Sequence, residues 1–94
     1  MTKQANKVQK LAFLPAQEYY TELNKKGRST LLLELMPMTG KGKTTLWRWF
    51  HGKTRPDKAN REKIAFSLSK IVNAELNEDK LFPDDYPYTG ANKK

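Results

Sequence analysis

Between residues 41 and 63 the chain places eight Lys and Arg against two acidic residues, net +6, and interleaves them with Trp47, Trp49 and Phe50. Ammonium and guanidinium groups at that density neutralise phosphates, and aromatic rings among them either pack the segment down or meet bases. The chemistry on offer is polyanion binding. The rest of the chain sharpens the contrast. Residues 1–63 hold 14 basic and 5 acidic side chains, whereas residues 64–94 hold 4 and 5. The whole chain of 94 residues carries a formal +8, with a pI near 9.8, so nucleic acid leads among partners and an acidic membrane surface follows. Having no cysteine and a single histidine, His51, the chain has no disulfide framework, thiolate metal site, thiol nucleophile or histidine-rich metal site. Glu18, Glu22 and Glu34 show no pairing suited to acid–base catalysis, so the expectation is no enzyme and no cofactor.

A second chemistry has to be weighed at the start of this segment. Pro37-Met38-Thr39-Gly40-Lys41-Gly42-Lys43-Thr44 looks like a phosphate-binding loop of the form G-x-x-x-x-G-K-[ST]. In such a loop backbone N–H groups wrap a phosphate, Lys reaches its outer oxygens and the hydroxyl holds magnesium. Here Pro37 occupies the first glycine position, and proline has no N–H to offer and a fixed φ. Nucleotide hydrolysis also needs a parallel sheet and a metal-holding Asp after a later strand, and the 50 residues after Thr44 contain no strand run. A minimal nucleotide binder therefore ranks low.

These groups need a scaffold, and the chain length allows one domain. Residues 1–14 read as a basic N-terminal tail containing Lys3, Lys7 and Lys10, residues 15–83 as the folded domain and residues 84–94 as a C-terminal tail. The longest apolar stretch, 31–36, is broken by Glu34 and closed by Pro37, too short to span a membrane. The apolar run 11–14 is too short for a signal-peptide core. An intracellular, cytoplasmic protein with no place in the membrane is expected.

Pro15 opens a first helix over about 15–26, with Ala16, Tyr19, Tyr20 and Leu23 at helical spacing and Gly27 as terminator. Ser29 or Thr30 caps a second over 31–36, which Pro37 ends or kinks. Three leucines in succession leave a short buried strand open there. After a turn at 39–42, residues 43–51 read as a third helix closed by Gly52, with Leu46, Trp49 and Phe50 on its one apolar face. Asp57 caps a fourth helix bearing the stripe Ile64, Ala65, Leu68, Ile71 and Val72, with Lys58, Arg61 and Lys63 on a solvated face. Residues 77–82 add one turn. The fold is all-α, a compact bundle of four to five short helices.

The run T-G-K-G-K-T-T-L-W-R-W-F-H-G-K from Thr39, then Arg55-Pro56, the apolar stripe of the fourth helix and Leu81-Phe82-Pro83 together resemble the lambda-repressor/Cro-like helix-turn-helix family over about residues 28–83. The most specific part is 46–56, an aliphatic residue, Arg-Trp, then Gly-Lys before a Pro-capped helix. The chain departs from the family in Lys41 and Gly42 after the turn glycine, in Pro37, and in Leu31 and Leu32 where polar residues are usual. The resemblance implies that Gly40 makes the turn and that the third helix lies in the major groove. It implies base reading by Lys43, Thr44 and Arg48, an Arg there being able to bind guanine through two hydrogen bonds. Thr45 and Trp47 would meet bases or backbone, and Lys41, His51, Lys53, Arg55 and Lys58 would contact phosphates. Leu46 and Trp49 would be buried.

On that resemblance the chain is a small transcriptional regulator, a repressor of bacterial or mobile-element origin, that binds double-stranded DNA sequence-specifically. A homodimer would have to use the fourth helix or residues 81–88, since little chain is left for a separate dimerisation module; a protein partner is the other route. The rival from another class is an interaction or antitoxin-type module whose DNA binding depends on that partner.

Overall fold

Five helices follow one another in the computed structural model, which describes residues 14–89: α1 (Pro15–Glu22), α2 (Lys25–Thr39), α3 (Lys43–Phe50), α4 (Lys58–Val72) and α5 (Glu78–Leu81). No strand occurs among the described residues, so the all-α expectation holds and the alternative of a strand at the leucines falls.

The boundary between the first two helices lies elsewhere than Gly27 suggests. Leu23 is extended, at ψ 147°, and the Asn24 side chain accepts the Gly27 N–H at 2.7 Å, capping a new helix. Gly27 therefore sits in the first turn of α2, and Ser29 and Thr30 lie inside it rather than capping it. Nor does Pro37 end α2. It is exposed, so the Leu33 carbonyl that loses its i+4 donor can turn to water, and the helix runs on. Gly40 closes it, in the left-handed region at φ 72° and with its N–H on the Met36 carbonyl at 2.8 Å.

α4 packs on α2, α3 lies against α1 and α2, and α5 folds back on α4 and α1. Leu14, Leu31, Leu35, Leu46, Ile64 and Leu68 are wholly buried at the centre, each stabilising the fold by about 1.5–3 kcal/mol. Tyr20 stacks on Phe50 with centroids 4.6 Å apart, and Phe50 meets Phe82 at 6.4 Å.

The stretches set aside as tails contribute to this core. Leu14 is buried under α1, and Tyr88 is 7% exposed, its hydroxyl donating to the Pro83 carbonyl at 2.7 Å. The Thr89 N–H reaches the Gly52 carbonyl at 3.1 Å. The Leu14 and Tyr88 side chains both belong to the buried cluster, so the core draws on residues beyond 15–83. Residues 1–13, with Lys3, Lys7 and Lys10, and residues 90–94 lie outside the described residues. Among those described, no helix is long and apolar enough to cross a membrane.

Candidate nucleic-acid interface

α3 has two faces of opposite character because its apolar residues recur at i, i+3 and i+4. Leu46, Trp49 and Phe50 are buried, at 0%, 5% and 0% exposure, and fasten the helix down. On the other side Lys43, Thr44, Trp47 and Arg48 are exposed, and Thr45 and His51 are half-buried at its edges. Positions 43, 44, 47, 48 and 51 lie along one side of a helix. The turn of Gly40, Lys41 and Gly42 is short enough that this face follows directly on α2, with Lys41 exposed in it.

The face is cationic and unneutralised. Among the described residues the ion pairs are Arg61 with Glu78 and Lys70 with Glu34, so no carboxylate offsets Lys41, Lys43, Arg48, Lys53 or Lys58. Lys53 and Lys58 are exposed in the loop and at the start of α4, beyond the C-terminal end of α3.

His51 caps that end. Its Nδ1 lies 2.9 Å from the Trp47 carbonyl, which can only accept, so Nδ1 carries a proton and donates. The imidazole also stacks on the Trp47 indole, centroids 4.1 Å apart and planes 19° from parallel, and presents its edge to Tyr20 at 5.9 Å. Trp47 is thus 45% exposed yet held in place by a ring.

Two arginines have other duties. The Arg55 Nε donates to the Phe82 carbonyl at 2.9 Å, tying the loop before α4 to the chain after α5, so the group expected on a phosphate is half-buried in a structural clamp. It also faces Tyr88, whose phenol burial pushes up to about 12 from 10.0, while Arg55 pulls the other way. Arg61, expected on a solvated face, bonds the Pro56 carbonyl at 2.9 Å and pairs with Glu78.

The phosphate-loop string adopts a different shape. Its first residues, 37–39, are helical. The Gly40 N–H is bonded to Met36 and the Lys41 N–H to the Thr39 hydroxyl at 3.2 Å. Two of the donors a phosphate cradle would use are occupied. No cluster of His, Cys, Asp and Glu suited to a metal occurs among the described residues.

The exposed face of α3 also borders a depression. Leu32 of α2 joins Lys43, Thr44 and Trp47 of α3 in lining an open depression of about 330 Å³. The sequence signal for it is the run Leu31-Leu32-Leu33, which is more apolar surface than one helix face can bury.

The chain matches no family model, no curated protein and no solved structure.

Proposed function

We propose that the protein is a small, sequence-specific DNA-binding regulator, most simply a repressor, that lays α3 in the major groove of double-stranded DNA as the second helix of a helix-turn-helix. The observation that carries this reading is the outward face of α3: Lys43, Thr44, Trp47 and Arg48 exposed together on a helix whose opposite side is buried. A groove-reading helix needs that division, one side for the protein and one for base edges.

Approach is electrostatic: phosphates attract Lys41, Lys53 and Lys58, counterions are released, and α3 is set in register. Arg48, one turn along from Thr44, then donates two hydrogen bonds to a guanine, and Lys43 contacts guanine or phosphate. Thr44 and Thr45 donate to phosphate at the helix start, where the backbone N–H groups also favour an anion. His51 stays on the end of α3, its Nδ1–H on the Trp47 carbonyl, beside the sugar-phosphate backbone. Nothing in this sequence of events calls for a cofactor or a reaction.

The test is Arg48→Ala, compared with the parent by enrichment from a random duplex library. The parent should enrich a short motif, and the variant should lose preference at one guanine, on the order of tenfold, with its helical content intact. Unchanged selectivity would remove Arg48 from the readout.

The partner-dependent interaction module draws on a different observation: Leu33 and Phe66 are 63% and 58% exposed, more apolar surface than a lone DNA reader needs. It predicts weak duplex binding by the chain alone.

A further inference from the structure

We infer that the depression between Leu32 and Trp47 reads the 5-methyl group of a thymine in the major groove, an inference that rests on the duplex-DNA reading above. Its lining residues are Leu32, Lys43, Thr44 and Trp47, and the surface they present is mostly apolar. Leucine offers no hydrogen bond and the indole a single donor, so although the Thr44 hydroxyl and the Lys43 ammonium belong to the same lining, the depression is mostly apolar and suits an apolar group better than a base edge. The one apolar group a base pair presents in the major groove is the thymine methyl.

Charge says what covers the depression. Lys43 forms part of its wall and Arg48 adjoins Trp47 on the exposed face, neither paired with a carboxylate among the described residues. An apolar patch with that rim suits a polyanion that carries an apolar knob, which is a description of thymine within duplex DNA. The depression is open and wider than one methyl, so the thymine edge can follow the methyl in.

Trp47 is also ready for the contact before DNA arrives. The His51 ring covers one side of the indole, and the His51 Nδ1–H holds the Trp47 carbonyl. A large side chain already fixed loses little rotamer freedom on docking, so more of the apolar contact appears as affinity. Trp47 is thereby a specificity-determining residue beside Arg48, and His51 a positioning residue for it.

The experiment replaces thymines of an operator, enriched with the parent protein, one at a time by deoxyuridine, which lacks the methyl and keeps every hydrogen bond. Binding is followed by fluorescence anisotropy. The parent should bind about fourfold more weakly at one or two positions, the effect of one buried methyl, and be indifferent elsewhere. Trp47→Ala, at a position exposed enough to leave the fold intact by circular dichroism, should bind more weakly and lose that sensitivity; Trp47→Phe should recover part of it. An operator with no uracil-sensitive position, or full sensitivity retained in Trp47→Ala, overturns the inference while leaving the DNA reading in place. Failure to enrich any duplex overturns both.

Discussion

Trp47 and Trp49, two residues apart, face opposite ways, and helical spacing alone separates them. Trp49 lies in register with Leu46 and Phe50 and is buried, whereas Trp47 falls on the charged side. That much was legible in the sequence. The duties of Arg55 and Arg61 were not, because their partners, the Phe82 carbonyl and Glu78, stand 27 and 17 residues away; no local pattern records such a contact. The two tryptophans give a direct readout. Acrylamide should quench the Trp47 emission in the free protein, and saturating duplex DNA should remove most of that quenching; quenching unchanged by DNA would take Trp47 out of the interface. Gly40 and Gly52 share a left-handed φ of 72° but differ in surroundings. A Cβ at Gly40 meets open space, whereas at Gly52 it would lie 2.9 Å from the Tyr86 ring. Gly40→Ala should therefore cost about 1–2 kcal/mol, the left-handed penalty alone, and Gly52→Ala clearly more in thermal denaturation. Tyr88 adds a pH dependence. With its pKa raised from 10.0 to about 12, the folded state favours the neutral phenol that donates to Pro83. Its contribution is present below about pH 10 and is lost as the pH climbs towards 12. Tyr88→Phe should flatten that alkaline loss of stability, and an unchanged pH profile would contradict the assignment.

At the scale of elements, α3 and α4 could be read from spacing because each carries an apolar stripe at helical intervals, closed at Gly52 in α3, and α5 falls within the turn expected over 77–82. α1 and α2 could not, since Gly27 and Pro37 are strong punctuation that the surrounding structure overrides. Asn24 outcompetes Gly27 by capping the next helix through a side-chain bond, and the exposed position of Pro37 makes its missing N–H cheap to tolerate. Asn24→Ala should accordingly lower stability by about 1 kcal/mol. Pro37→Ala should raise it by about 1–2 kcal/mol, because a helix interior gains a hydrogen bond and a better helix former, partly offset by a freer unfolded chain. In a domain of this size each kcal/mol moves Tm by about 4–8 °C, well within reach of circular dichroism. A fall in Tm for Pro37→Ala would mean that the proline is needed to shape the end of α2. The turn after α2 then decides where α3 sits, so the three residues Gly40, Lys41 and Gly42 link stability to recognition.

For the whole molecule, the partition of charge was legible in the sequence. A net +6 over residues 41–63 becomes, in three dimensions, a helix face and three flanking lysines, Lys41, Lys53 and Lys58, that no carboxylate among the described residues pairs with, on a domain whose core holds α3 from behind. What the sequence concealed is the depression beside Trp47, which requires Leu32 from another helix and so depends on packing. Duplex DNA is the partner proposed for this face. Fluorescence-anisotropy titration of random-sequence duplex at several salt concentrations, against a matched single-stranded RNA, tests it most directly. The protein should bind duplex with a dissociation constant on the order of 10⁻⁴–10⁻⁶ M near physiological salt, with a log–log salt slope of about −0.9 per phosphate contacted, and should bind the RNA more weakly. Duplex binding absent even at low salt, or no stronger than the RNA, would contradict that proposal.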